Sequence, residues 1–342
     1  MALTLDKKSV GTFFMLFLTC ICRASSRTLS ESSIATQHEE WMAMHDRVYA
    51  DSAEKDRRQQ IFKENLEFIE KHNNEGKKRY NLSLNSFADL TNEEFVASHT
   101  GALYKPPTQL GSFKINHSLG FHKMSVGDIE ASLDWRKRGA VNDIKNQGRC
   151  GSCWAFSAVA AVEGINQIKN GQLVSLSEQN LVDCASNDND GCHGQYVEKA
   201  FDYIRDYGLA NEEEYPYVET VGTCSGNSNP AIQIRGYKSV TSQNEEQLLT
   251  AVASQPVSVL LEAKGQGFQF YSGGVFSGEC GTELNHAVTI VGYGEEAEGK
   301  YWLIRNSWGK SWGEGGYMKL MRDTGNPQGL CGINMQASYP FL

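Results

Sequence analysis

Seven of the nine cysteines fall between Cys150 and Cys331, and the other two, Cys20 and Cys22, stand near the amino terminus. Lys7 and Lys8 precede an apolar run through Phe13, Phe14, Met15, Leu16, Phe17 and Leu18, and small residues follow at Ala24, Ser25 and Ser26. That order predicts a cleaved signal peptide over residues 1–26. The rival reading, a membrane anchor, needs an apolar run of about 20 residues, which is more than this one offers. Loss of the leader removes Cys20 and Cys22. The odd set that remains, in an oxidising compartment, predicts three disulfides and one free thiol, which is an accident, an intermolecular link or a reactive group. Parity alone does not say which sulfur is free.

A chain of 342 residues accommodates about two domains besides removable segments. Charge is divided unevenly. Residues 1–128 carry 16 basic and 16 acidic side chains and residues 129–342 carry 16 and 25, so the whole net charge of −9 lies downstream. An acidic chain without a basic stripe is poorly suited to phosphate backbones, and nucleic acid is excluded as a partner. No paired Cys/His spacing for a metal and no phosphate-binding glycine loop occurs, so no cofactor and no metal are expected.

Residues 34–74 read as two helices broken near residues 49–52. In the second, Arg58, Phe62, Asn65, Ile69 and Asn73 recur at steps of three and four and share one face. Taken alone, that stripe predicts packing. From residue 100 to about residue 128 the chain is rich in Gly, Pro and Ser without periodicity, which predicts a loose connector where a protease could cut. Asn81-Leu82-Ser83 and Asn116-His117-Ser118 are glycan sequons, both ahead of that cut.

Beyond the connector, residues 154–168 are apolar almost all round, predicting a buried helix stopped by Asn170-Gly171. A capping box at Ser175-Leu176-Ser177-Glu178 predicts a short helix toward Cys184, and a third helix is predicted over residues 196–206. The period then changes: residues 257–261, 287–291, 301–304 and 317–320 are short β-rich runs that predict antiparallel strands. A helical subdomain followed by a sheet or barrel subdomain gives an α+β protein with a cleft between the halves.

The chemistry concentrates at Gln147-Gly148-Arg149-Cys150-Gly151-Ser152-Cys153-Trp154. A redox Cys pair would sit in a βαβ unit and a zinc knuckle would need a second pair; neither context is present. At the start of the predicted helix, Cys153 would feel the positive end of the helix dipole, which favours thiolate; a buried structural cysteine is the alternative. A thiolate nucleophile needs a proton donor, an orienter for it, and donors for an oxyanion. Leu284-Asn285-His286-Ala287 and Arg305-Asn306-Ser307-Trp308-Gly309 supply candidates.

On these motifs the chain resembles papain and its plant relatives from about Trp41 to Pro340. The resemblance implies a two-subdomain α+β fold: a helical left domain, an antiparallel β-barrel-like right domain, and a mainly helical inhibitory propeptide over residues 27–128 ahead of a peptidase domain over residues 129–342. It implies Cys153 as nucleophile, His286 as general acid/base, Asn306 as orienter of the imidazole, and Gln147 with the Cys153 N–H as oxyanion donors. Trp308 would shield the His286–Asn306 bond. Neighbouring charges would depress the Cys153 pKa and raise that of His286, giving a thiolate–imidazolium pair.

The same resemblance pairs Cys150 with Cys192, Cys184 with Cys224, and Cys280 with Cys331, leaving Cys153 free. Glu54, Arg58, Phe62, Asn65, Ile69 and Asn73 match the family's propeptide signature, and Asn85, Phe87 and Asp89 its second motif, with Ser83 in place of a glycine. That segment would occupy the cleft until acid loosens it. Substrate would lie extended along Gly194 and Gln195, where Gln195 replaces a glycine that lets the substrate backbone approach. Tyr196, Val197, Leu260, Leu284, Ala287 and Gln336 would line the main specificity pocket, giving a hydrophobic preference narrowed by Leu260 and Gln336.

Implied partners are protein or peptide substrates, the chain's own propeptide and cystatin-like inhibitors, with a monomeric enzyme free of membrane in its mature form. A papain-shaped binding or storage protein without turnover is the rival class, separable by thiol alkylation; an inhibitor built on the front segment alone is a third. The ending Ser338-Tyr339-Pro340-Phe341-Leu342 carries no retention tetrapeptide, which predicts export to a vacuole or outside.

Overall fold

A computed structural model describes residues 31–76, 78–104, 129–186, 191–226 and 229–342. The signal-peptide reading, the Asn116 sequon and most of the proposed connector lie outside these residues.

The front segment opens with α1 (Glu31–Met44) and α2 (Ser52–Asn74). Asp51 caps α2 by accepting the Glu54 N–H at 2.9 Å. Its buried face, with Phe62, Leu66 and Ile69, packs on Ile34, Trp41 and Leu82, and on Phe270 from the second half of the chain. The polar members of the stripe do more than pack. Asn65 donates to the carbonyls of Ala88 and Leu90 at 2.9 and 3.0 Å, Asn73 pairs with both backbone groups of Leu82, and Arg58 reaches the Asp89 carbonyl at 2.8 Å. Asn85 donates to the Gln269 carbonyl at 2.8 Å, fixing this loop to the catalytic half. Strand β1 (Tyr80–Leu82) follows α2, and α3 (Asn92–His99) begins at a capping box between Thr91 and Glu94.

After the short β2 (Leu133–Asp134), the helical subdomain comprises α4 (Cys153–Asn170), α5 (Glu178–Cys184) and α6 (Val197–Tyr207). α4 is buried on every side through Asn166 and ends at Gly171, whose φ of 69° is the left-handed stop. The cap of α5 is Ser177, which accepts from the Asn180 N–H at 2.9 Å. The predicted Ser175–Glu178 box does not form, because the Glu178 carboxylate turns inward to the Lys145 ammonium at 2.7 Å.

The remaining elements are β3 (Gly236–Ser239), α7 (Glu245–Ser254), β4 (Val257–Leu261), the single turn α8 (Gln266–Gln269), β5 (Tyr271–Phe276), β6 (His286–Glu296), β7 (Gly299–Arg305), β8 (Tyr317–Met321) and β9 (Ala337–Phe341). Among the described residues they form one sheet in the order β1-β5-β8-β7-β6-β4-β9-β3, with β2 on β6. Two expectations are corrected here. The sheet is open rather than barrel-like: β1 of the front segment takes the free edge of β5, with Asn81 opposite Gly273, and the other end stops at β3, whose Tyr237 stacks on Phe201 of α6. It is also not wholly antiparallel, because the crossover through β6 and β7 returns β8 parallel to β5.

Separate apolar cores fill the helical and sheet halves. α4 is the spine between them. Its Ser157 hydroxyl bonds the Ser258 hydroxyl at 2.6 Å and the Val288 carbonyl at 2.7 Å, and its Glu163 pairs with Arg305 of β7 at 3.3 Å.

Candidate active site

Cys153 is the first residue of an 18-residue helix, and its sulfur is the one free thiol among the described residues. The other six sulfurs are joined as Cys150–Cys192, Cys184–Cys224 and Cys280–Cys331. The first of these holds the loop before α4 against residues 191–195, helped by a 2.7 Å bond from the Gly151 N–H to the Cys192 carbonyl. Tyr217 braces the same loop, with its hydroxyl 2.7 Å from that of Ser152 and donating to the Gln147 carbonyl at 2.8 Å. Backbone N–H groups of Ala287, Gly101, Trp154 and Cys153 itself face the sulfur.

His286 opens β6, opposite Leu261 of β4, so the sheet carries the imidazole to the edge of the cleft. Its Nε2 lies 2.8 Å from Asn306 Oδ1. That oxygen also accepts the Ser307 N–H at 2.8 Å, so it is an acceptor and the neutral ring carries its proton on Nε2. Nδ1 is left buried without a hydrogen-bond partner, free to accept a proton from a thiol. Trp308 stacks on the ring with centroids 4.5 Å apart and seals this pair from water.

Gln147 is fully buried. Its amide oxygen accepts from the Ser307 hydroxyl at 2.6 Å, and its Nε2 donates to the Cys150 carbonyl at 2.9 Å and to the His99 carbonyl at 3.3 Å. The His99 carbonyl accepts a second bond from the Trp308 indole at 3.1 Å. Sequence reasoning missed His99, as it missed the helix α3 that His99 ends.

Over residues 100–104 the front segment enters the cleft rather than hanging loose. The N–H groups of Gly101 and Ala102 donate to the Asn285 carbonyl at 3.0 Å, the Gln195 N–H to the Gly101 carbonyl at 3.0 Å, and the Leu103 N–H to the Gln195 carbonyl at 3.1 Å. Residues 100–104 showed no period of their own because their order comes from pairing with the cleft wall. Gln195 does not block the approach: its side-chain oxygen folds back onto the Tyr196 N–H at 3.0 Å. The close contact falls at Gly194, where φ is +102° and a Cβ would stand 2.3 Å from the Gly101 oxygen.

Val197, Leu260, Leu284 and Ala287 share one apolar cluster with Ala102, and Tyr196 caps α6 beside them. Gln336 is buried. Its carbonyl accepts the Leu260 N–H at 3.0 Å and its amide donates to Glu198 Oε1 at 2.8 Å. Four of the six predicted pocket residues thus share a cluster with Ala102, and Gln336 joins Leu260 through the backbone.

Burial governs the titration of the reactive pair. It pushes the Cys153 thiol up to about 11 and the His286 imidazole down to about 4, although the bond to Asn306 pulls the latter upward. In the precursor burial thus shifts both groups in the sense opposite to the predicted ion pair, toward the neutral thiol and the neutral imidazole.

A free thiol at a helix start, an imidazole held by an amide, and a chain laid across both define a thiol peptidase in a self-blocked form. Comparison agrees: residues 129–341 match the papain family cysteine protease domain, residues 38–95 match the cathepsin propeptide inhibitor domain, and the chain belongs to the papain family of cysteine proteases as a precursor. A thiol protease of Hemerocallis sp. is 49% identical over 317 residues, 91% of this chain and 87% of that protein. Fruit bromelain of Ananas comosus is 46% identical over 336 residues, covering 96% and 93%. Among solved structures, a recombinant stem bromelain precursor has a TM-score of 0.83 at 43% identity, covering 90% of this chain and 99% of that one. The proform of Amb a 11, a ragweed pollen cysteine protease, has a TM-score of 0.81 at 41% identity, covering 92% and 96%. The protein is thus a zymogen, its propeptide an intramolecular inhibitor and its product a cysteine endopeptidase.

Proposed function

We propose that Cys153 is the nucleophile of this endopeptidase and His286 its acid/base. Once the propeptide leaves, His286 takes the thiol proton and the sulfur attacks the scissile carbonyl carbon. Gln147 Nε2 and the Cys153 N–H receive the developing oxyanion. The imidazolium then gives its proton to the leaving amine, and the acyl group stays on sulfur. Water, deprotonated by the same ring, releases the acid and frees the thiol. Asn306 fixes the ring throughout.

One observation carries this reading. A peptide carbonyl, that of His99, already rests on the Gln147 amide at 3.3 Å, in a chain whose Gly101 N–H faces the Cys153 sulfur. The removable part is residues 27–128, behind a signal peptide of residues 1–26, and the peptidase is residues 129–342. The exposed Asn81 on β1 would carry a glycan lost with the propeptide. Acid in a vacuolar or extracellular compartment of the secretory pathway triggers the change. Acidified wild-type precursor should convert to a form beginning near Ile129 and cleave peptides, and Cys153→Ser should do neither. An active Cys153→Ser protein would overturn the assignment.

A further inference from the structure

Tyr217 lies in the chain between α6 and β3, and its phenol meets the loop before Cys153 at both ends. At one end it donates to the Gln147 carbonyl at 2.8 Å, whose other donor, the Cys150 N–H, stands off at 3.4 Å. A carbonyl only accepts, so the phenol proton is spent there. The 2.7 Å bond to Ser152 is therefore one that the serine hydroxyl donates, in preference to the Cys150 carbonyl 3.4 Å away. Burial raises the pKa of the phenol and keeps its proton in place. Ser152 is the cap residue of α4, yet its side chain makes no cap bond. The phenol is itself firmly mounted. Its ring meets Phe156 edge-on with centroids 4.9 Å apart, its backbone N–H donates to Glu212 Oε1 at 3.1 Å, and the Val218 N–H donates to the buried Gln179 of α5 at 3.0 Å.

We propose that Tyr217 is a positioning residue for the oxyanion: one phenol sets the spacing between the two donors, the Gln147 amide and the Cys153 N–H. The Gln147 side chain hangs from the backbone whose carbonyl the phenol holds, and the Cys153 N–H belongs to the peptide unit that Ser152 begins. The Cys150–Cys192 bridge pins the middle of this loop, and Tyr217 pins its two ends. Ser307 and the Cys150 carbonyl orient the Gln147 amide itself, whereas Tyr217 places it relative to the head of α4. Such donors act on a transition state only where their placement already matches the developing charge. Loosening them lowers turnover without weakening the binding of substrate.

The inference rests on the peptidase reading above, and one set of measurements separates the two. Processed wild type, Tyr217→Phe and Ser152→Ala are compared per titrated thiol, so that misfolded protein is not counted. Tyr217→Phe keeps the ring against Phe156 and loses both bonds, and it should lower kcat about tenfold with KM changed by less than about twofold. A peptide aldehyde, whose oxygen becomes the oxyanion when the thiol adds to its carbon, should bind about tenfold more weakly. Alkylation by iodoacetamide forms no oxyanion and should keep its rate and its pH profile. Ser152→Ala breaks one of the two bonds and should show the same pattern at smaller size. A kcat within about twofold of wild type in both variants, or equal losses in alkylation and turnover, overturns the role of Tyr217. Absence of peptide cleavage by processed wild type overturns the peptidase reading, and this inference with it.

Discussion

The side-chain amide of Gln147 donates to the backbone carbonyl of His99 at 3.3 Å, so the group suited to hold an oxyanion is engaged by the chain's own inhibitor. Freed of His99, Gln147 remains oriented by Ser307 and the Cys150 carbonyl at 2.6 and 2.9 Å. Donors of this kind stabilise a transition state by about 3 kcal/mol. Gln147→Ala should therefore lower kcat of the processed enzyme roughly a hundredfold with KM little changed. Steady-state kinetics beside a thermal melt check this; unchanged kcat in a folded variant refutes the role.

Gly101 passes through a slot made of backbone. A Cβ there would stand 2.1 Å from the Gly151 oxygen, one at Gly194 would stand 2.3 Å from the Gly101 oxygen, and one at Gly151 2.9 Å from the Thr100 oxygen. Gly101 lacks the positive φ of Gly194, so the obstacle is contact alone. Backbone on both sides cannot yield, and Gly101→Ala should lift the segment off the thiol. Alkylation of Cys153 in the uncut precursor at neutral pH should speed up by about tenfold or more, the scale expected of a 1–3 kcal/mol overpacking cost. An unchanged rate would show that the slot is looser than its walls indicate.

His99 couples the blockade to pH. Burial between Phe87 and Phe95, with the charges of Arg149 and Arg47, holds its imidazole down at about 4, against an ordinary 6.5, although a bond to the Phe95 carbonyl pulls it upward. The released segment binds a proton that the docked one refuses, so docking weakens as pH falls below 6.5 and the loss is complete near 4. Each unit within that window costs about 1.4 kcal/mol, on the order of 3 kcal/mol in all. His99→Gln cannot titrate, and its Cys153 alkylation rate should rise much less between pH 6.5 and 4 than that of wild type. Superimposable profiles would place the acid trigger elsewhere.

Helices α1, α2, α4, α5 and α6, the four predicted strands and the reactive motifs were legible because each is written locally, in a period, a cap or a short signature, whereas α3, α7 and α8 went unread. α4 shows this best: an all-round apolar run, a glycine stop and a cysteine at its head. What stayed hidden depends on distant pairing. Asn81 opposite Gly273 joins segments with no shared local signal, and that pairing decides where the sheet ends. Gly101 and Ala102 read as connector because their order is borrowed from Asn285 and Gln195. The shift of Cys153 and His286 toward their neutral forms could not be read either: position at a helix start argues for thiolate, and burial in the folded precursor opposes it.

That reversal can be measured. In the precursor the Cys153 thiol is pushed up to about 11 from an ordinary 9.0 and the His286 ring down to about 4, so between these limits both are uncharged and the sulfur is a poor nucleophile. Processing removes residues 99–104, which bring Gly101 to the sulfur and His99 to bear on the ring, while the helix start, the Ala287 N–H and the Asn306 bond remain. What remains favours the charged forms, so the thiol must fall and the ring must rise. The alkylation rate of the precursor should climb with pH toward a midpoint near 11, and after processing the midpoint should drop by several units into the acid range. If cut and uncut protein share one midpoint, the propeptide blocks access without altering the ionisation of the pair.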